Sequence, residues 1–126
     1  MEEIRRRLNK LNKEMSGKQG VIVDLVNDLS NAFENNADLE LHIRAVNKND
    51  EVFMSSYNEH ATVVLSRCGS MFILRSRNLG QQSSLSFNIN DINNVVKLSS
   101  DHINYRFTWS SPLGNADIIL SAFTNK

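Results

Sequence analysis

Between Ile4 and Ala32, apolar residues recur at alternating spacings of four and three: Ile4, Leu8, Leu11, Met15, Ile22, Leu25, Leu29 and Ala32. Lys18 stands at the one position of this register that is not apolar. The spacing draws a narrow stripe along a helix, and a narrow stripe is the kind of surface a second helix covers. Val21, Val26 and Phe33 widen the stripe over residues 20–34, which suits that segment to lie on a sheet. Residues 4–15 have no such widening, so they are free to project and pair with a copy of themselves.

Gly17 and Gly20 interrupt the helical stretch at a combined cost of roughly 2 kcal/mol against alanine. Gly17 can also serve as the residue that ends a first helix. The common register on both sides favours one continuous or gently bent helix over residues 2–36, with a hinged pair of helices as the alternative.

From Leu39 the apolar period changes to two. Leu39, Leu41, Ile43 and Ala45 alternate with Glu40, His42 and Arg44, the pattern of a half-buried strand. Strands follow at Val52–Tyr57, Ala61–Arg67, Met71–Arg77, Leu85–Ile89, Ile103–Trp109 and Ile118–Phe123. Gly69-Ser70 fits a two-residue hairpin with glycine first, which would pair Ser66 with Ile73, Val64 with Arg75 and Thr62 with Arg77. Gly80–Ser84 reads as a polar loop. Asn90 or Asp91 can cap a short helical turn bearing Ile92, Val95 and Val96. Short links between strands require antiparallel pairing. The expected fold is therefore α+β: an N-terminal helix or helix pair, then an antiparallel sheet of about seven strands. Residues 1–18 form an amphipathic segment suited to oligomerisation, and residues 19–126 a helix-covered sheet domain.

With 126 residues and 40% hydrophobic content, the chain can bury a core of ordinary size. No apolar run is long enough to span a bilayer, and the first residues lead into a polar amphipathic stretch unlike a secretion signal. Cys68 is the single cysteine, so no internal disulfide forms. Together with the lack of any Asn-x-Ser/Thr sequon, this points to a reducing, cytoplasmic setting. The abundance of asparagine suggests an AT-rich bacterial or viral genome, which for a virus means the host cytoplasm. The net charge of zero hides a segregation of +3 over residues 1–18, −6 over 19–66 and +3 over 67–126. Such a balance can steer a partner but is far from that of a dedicated nucleic-acid binder.

Candidate chemistry is sparse. Ser100-Asp101-His102 has the residue types of a hydrolase triad, yet three adjacent residues in a turn seldom converge as one. Cys68 has Arg67 beside it but no base at a telling distance in sequence. His42, His60 and His102 stand far apart, outside any metal-ligand spacing, and no phosphate-binding loop occurs. No catalytic residue, metal or cofactor follows from these patterns. Arg5, Arg6, Arg7, Arg75 and Arg77 can contact phosphates, or sit solvated and salt-paired. Ile103, Tyr105, Phe107 and Trp109 form a stripe that suits a buried sheet better than base stacking.

The reading that results is a non-enzymatic adaptor or inhibitor with a protein partner, forming a homodimer through Ile4, Leu8, Leu11 and Met15. A nucleic-acid accessory protein using the five arginines is the second reading. A small-molecule site between helix and sheet is the third.

Overall fold

The computed structural model describes residues 2–78, 83–112 and 114–125. It consists of helices α1 (Glu2–Glu14) and α2 (Val21–Glu34) followed by one antiparallel sheet. The strands are β1 (Leu39–Val46), β2 (Val52–Leu65), β3 (Met71–Ser76), β4 (Ser83–Asn88), β5 (Ile92–Lys97), β6 (Ile103–Ser111) and β7 (Gly114–Thr124). A 3-10 turn, Ile89–Asp91, links β4 to β5. This is the expected α+β class. The polar loop read at Gly80–Ser84 lies largely outside the described residues. Among those described, no helix is long and apolar enough to cross a membrane.

The helical region is a pair, not one continuous helix. Gly17 and Gly20 adopt φ of +84° and +89°, in the left-handed region that no α-helix interior allows. The apolar register survives the break because both helices turn their apolar sides to the same core. Leu25, Val26, Leu29, Ala32 and Phe33 of α2 are buried against the sheet, as the widened stripe implies.

The expectation that residues 4–15 project is corrected: α1 lies back on the β2–β3 turn. Leu11 is 2% exposed, and Ile4, Leu8 and Met15 pack against the core around it. Arg7 donates to the carbonyl of Leu65 at 2.8 Å, and Lys10 to that of Arg67 at 3.1 Å. Gly69, at φ +75°, makes this approach feasible: a Cβ there would lie 2.5 Å from Lys10 Cβ and 2.8 Å from the Leu11 nitrogen.

The sheet order is β4-β3-β2-β1-β7-β6-β5. Its two edge strands, β4 and β5, are consecutive in sequence and joined only by Ile89–Asp91. In a flat sheet, six interstrand spacings would separate those edges by about 29 Å. The link from Asn88 to Ile92 reaches at most about 14 Å. The sheet must therefore curl, and its concave face becomes the core. Phe87 of β4 meets Phe107 of β6 with ring centroids 5.3 Å apart, although four strands separate them in the sheet. The Ile89 amide donates to the carbonyl of Ser70 at 2.9 Å and fixes the link in place.

Three strand-level expectations change. Val52–Tyr57 and Ala61–Arg67 are one 14-residue strand, because an irregularity between Leu39↔Ala61 and Leu41↔Asn58 absorbs the extra residue. The β2–β3 turn runs from Ser66 to Met71, so Thr62 pairs with Arg75 and Val64 with Ile73, two residues out of the two-residue hairpin register. Ile92, Val95 and Val96 belong to β5, not to a helical turn. The Asn88 side chain accepts from the Asn90 amide and caps only the short 3-10 turn. Ile92 and Val96 beyond it pair with Trp109 and Arg106 of β6.

Substituting Gly69 by alanine should destabilise the fold by about 2 kcal/mol or more, combining backbone strain with displacement of α1. Gly17→Ala meets no atom within 4 Å. It should cost about 1 kcal/mol, from strain alone. Urea denaturation of the two variants measures the difference, and equal losses would show that α1 is not seated on the turn.

Candidate functional site

On a one-layer sheet only one strand face can be buried, so consecutive apolar residues must leave some side chains in water. Val52-Phe53-Met54 is such a run. The three residues are 51%, 59% and 64% exposed, and Tyr57 is 58% exposed. The strand partner explains why they are uncovered. β3 pairs with β2 along Ala61–Leu65, and the Arg77 amide just beyond it donates to the His60 carbonyl at 2.9 Å. From Val52 to Tyr57, β2 has β1 on one side and, among the described residues, no strand on the other.

β3 leaves β2 for identifiable reasons. The Ser76 hydroxyl accepts from the Asn78 amide at 3.1 Å and turns the chain. The Arg77 guanidinium donates to the carbonyls of Asn36 and Ala37 at 2.7 and 2.8 Å and lies 3.4 Å from Asp38. The strand is therefore tied to the end of α2 where it would otherwise continue along β2.

Beside this exposed stretch the concave face opens into an apolar cleft of about 470 Å³. Its walls are Ile43 and Ala45 of β1, Phe53, Met54 and Ser56 of β2, Leu85 and Ser86 of β4, Trp109 of β6, and Ala116 and Ile118 of β7. Among the described residues, no helix residue and no charged side chain lines it. A cleft between helix and sheet was the sequence expectation; this one lies beyond the helices.

The helix-free end is braced from the convex face. Arg106 of β6 donates to Asp117 of β7 at 2.9 Å and to Asp50 of the β1–β2 turn at 2.8 Å, and Thr108 donates to Asp117 at 2.9 Å. Hydrogen bonds from Arg106 and Thr108 hold the Asp117 carboxyl below its ordinary value. On the same face His42 lies 3.3 Å from the Ser55 hydroxyl and edge-on to Tyr57.

Residues singled out in the sequence fall elsewhere. Ile4, Leu8, Leu11 and Met15 face the protein's own core. Arg7 is held by Glu3 and the Leu65 carbonyl, and Arg77 by the α2 terminus. Arg5, Arg6 and Arg75 are exposed, but Arg7 and Arg77 sit at opposite ends of β3 and draw no single basic surface together. Ser100, Asp101 and His102 line a polar cleft of about 390 Å³ with Asp28 and Lys97. His102 stacks on Phe123 with centroids 3.9 Å apart, and among the described residues no hydrogen bond joins the three side chains of the triplet. Tyr105 donates to Asp28 beneath that cleft; burial and then this carboxylate push its hydroxyl pKa well above the ordinary range. His60 pairs with Asp38 at 2.9 Å. Among the described residues, no three His, Cys, Asp or Glu side chains converge on a metal position.

Cys68 is exposed, and its Sγ lies 3.0 Å from the Ser66 hydroxyl and 3.1 Å from that of Ser70. These hydroxyls, led by Ser66, lower the thiol to about 7.

The exposed stretch of β2 and its cleft were missed from sequence, although a signal was present. Three consecutive apolar residues, followed by Ser55-Ser56, break the alternation a half-buried strand requires. No protein-family model, curated protein or solved structure matches the chain.

Two outcomes follow from the electrostatics. The rate of Cys68 alkylation by iodoacetamide should inflect near pH 7, and Ser66→Ala should move the inflection upward; an unchanged inflection in the variant would remove the hydroxyl as its cause. The Asp117 carboxyl titrates lower in the folded chain than at its ordinary 3.8, so its stabilisation is present above that pH and lost as pH falls through the folded value. The stability difference between wild type and Asp117→Asn should therefore shrink from about pH 5 to about pH 2 in urea titrations.

Proposed function

We propose that this is a non-enzymatic interaction protein whose working surface is the helix-free part of the sheet, centred on β2. The observation that carries the reading is the run Val52-Phe53-Met54, more than half exposed along a strand edge and bordering an apolar cleft. Scattered exposed apolar residues are ordinary on any protein, but here Phe53 and Met54 border an apolar cleft, and that combination is the signature of a binding surface. Covering each of these half-exposed side chains would yield about 1 kcal/mol. Three or four of them, together with the cleft lining, suffice for a specific contact of ordinary strength.

The same reading accounts for the bracing by Arg106, Asp117 and Asp50. A binding strand is useful when its geometry is set before the partner arrives, because ordering it at that moment would weaken the contact. The N-terminal stripe, in contrast, is occupied by the protein's own hairpin and core.

A display library of random peptides about 12 residues long, long enough to span one strand with flanks, tests the proposal. Sequences enriched on wild type should lose at least about tenfold in affinity for a Phe53→Ser, Met54→Ser variant, a change of roughly 1.4 kcal/mol. The melting temperature of the variant should stay close to wild type, since both side chains are exposed. Enriched peptides that bind both proteins equally would overturn the proposal.

A further inference from the structure

We infer that the occupant of this surface is an extended polypeptide segment of another protein, apolar at alternate positions and flanked by lysine or arginine, which adds to the edge of β2 as an extra strand. The inference rests on the interaction reading above and names its partner by chemistry.

The first observation is backbone geometry. Between Val52 and Tyr57, β2 is hydrogen-bonded on the β1 side only, among the described residues. A strand with one unpaired edge offers a row of amide and carbonyl groups to an incoming strand. The incoming strand would lie in line with β3, along the path β3 abandons at Ser76.

The second observation is the cleft. An added strand points alternate side chains to the two faces of the sheet. Those on the concave side enter the apolar cleft beside Met54, Leu85, Trp109 and Ile118, where no charged side chain among the described residues awaits them. Those on the convex side meet the polar surface of His42, Ser55 and Tyr57. The site therefore selects apolar residues at every second position and tolerates polar ones between.

The third observation is charge, and it favours a different protein over a second copy paired about the middle of the exposed stretch. Between Lys48 and His60 the chain carries Asp50, Glu51 and Glu59 and no basic residue. Two copies pairing antiparallel about Ser55 would set Glu51 of one against Glu59 of the other at both ends of the ladder. Like charges directly opposite destabilise a strand pair, so the acidic ends act against this central self-pairing and favour a segment with basic ends. Glu51 and Glu59 form no ion pair with a basic side chain among the described residues, so both remain available to such a partner.

The experiment uses the full chain and exploits its single tryptophan, which lines the cleft. The probe is the synthetic peptide Lys-Lys-Val-Thr-Leu-Thr-Val-Lys-Lys. Controls are the same peptide with glutamate for every lysine, and an analogue N-methylated at alternate amides. The basic peptide should shift Trp109 emission and slow hydrogen exchange within Val52–Tyr57. Its affinity should fall about tenfold between low and high salt. The acidic and N-methylated peptides should each bind at least about tenfold more weakly.

Equal binding of the acidic peptide would overturn the charge assignment. Equal binding of the N-methylated peptide, with exchange at β2 unaltered, would overturn strand addition. In both cases a Trp109 shift lost in Met54→Ser would leave the interaction surface itself standing. A wild-type dimer in sedimentation that Phe53→Ser dissociates would make the occupant a second copy and overturn the inference. Failure of all three peptides overturns the inference as well, while the interaction reading is judged separately by the library selection.

Discussion

A link of three residues dictates the shape of this protein. Ile89–Asp91 joins the two outermost strands of a seven-stranded sheet, and the chain between them is far too short to cross a flat one. Curling follows from covalent geometry. It brings Phe72, Phe87 and Phe107 into one aromatic cluster. It also creates a concave face large enough to seat α2 while leaving part of that face open. The core, the position of the helices and the apolar cleft are all consequences of closing this short link.

The helices occupy the concave face unequally. α2 spans the concave face from β5 and β6 to β2 and is held by the hydrogen bond from Tyr105 to Asp28. α1 contributes Leu11 to the core and is seated on the β2–β3 turn through Gly69. Their reach ends before the distal ends of β1, β2, β6 and β7. Those strand ends are stiffened instead from the convex face, where Arg106 joins two strands and a turn. A rigid but uncovered strand edge is an aggregation hazard unless something limits self-pairing. Glu51 and Glu59 flank the exposed stretch and would face each other if two copies paired about Ser55.

Much of the fold was legible along the chain because its signals are local. Leu39 to Ala45 alternates cleanly, and the structure buries those four residues. Val21, Val26 and Phe33 marked α2 as the sheet cover. The errors arose where two local patterns agree until a third element decides. Ile92, Val95 and Val96 have helical spacing and β-branched side chains at once, and only the presence of β6 alongside selects the strand. The β2–β3 turn had a glycine in the right place for a tight hairpin. Its longer form is selected by α1 packing against Gly69, which no local rule contains. The candidate site was harder still. Val52-Phe53-Met54 is visibly apolar, but whether such a run is core or surface depends on how far β3 extends.

The sequence by itself determined the class of the fold, the apolar stripe of its helical stretch and the faces of its central strands, and the segregation of its charge. All of these follow from periodicity and from chemistry within a few residues. The tertiary structure alone decided that the N-terminal stripe is used internally and that the sheet curls. It also decided that β3 departs at Ser76 and exposes half of β2. These outcomes depend on contacts between residues far apart in the chain, such as Arg77 with Asn36 and Arg7 with Leu65, and periodicity carries no information about distant partners.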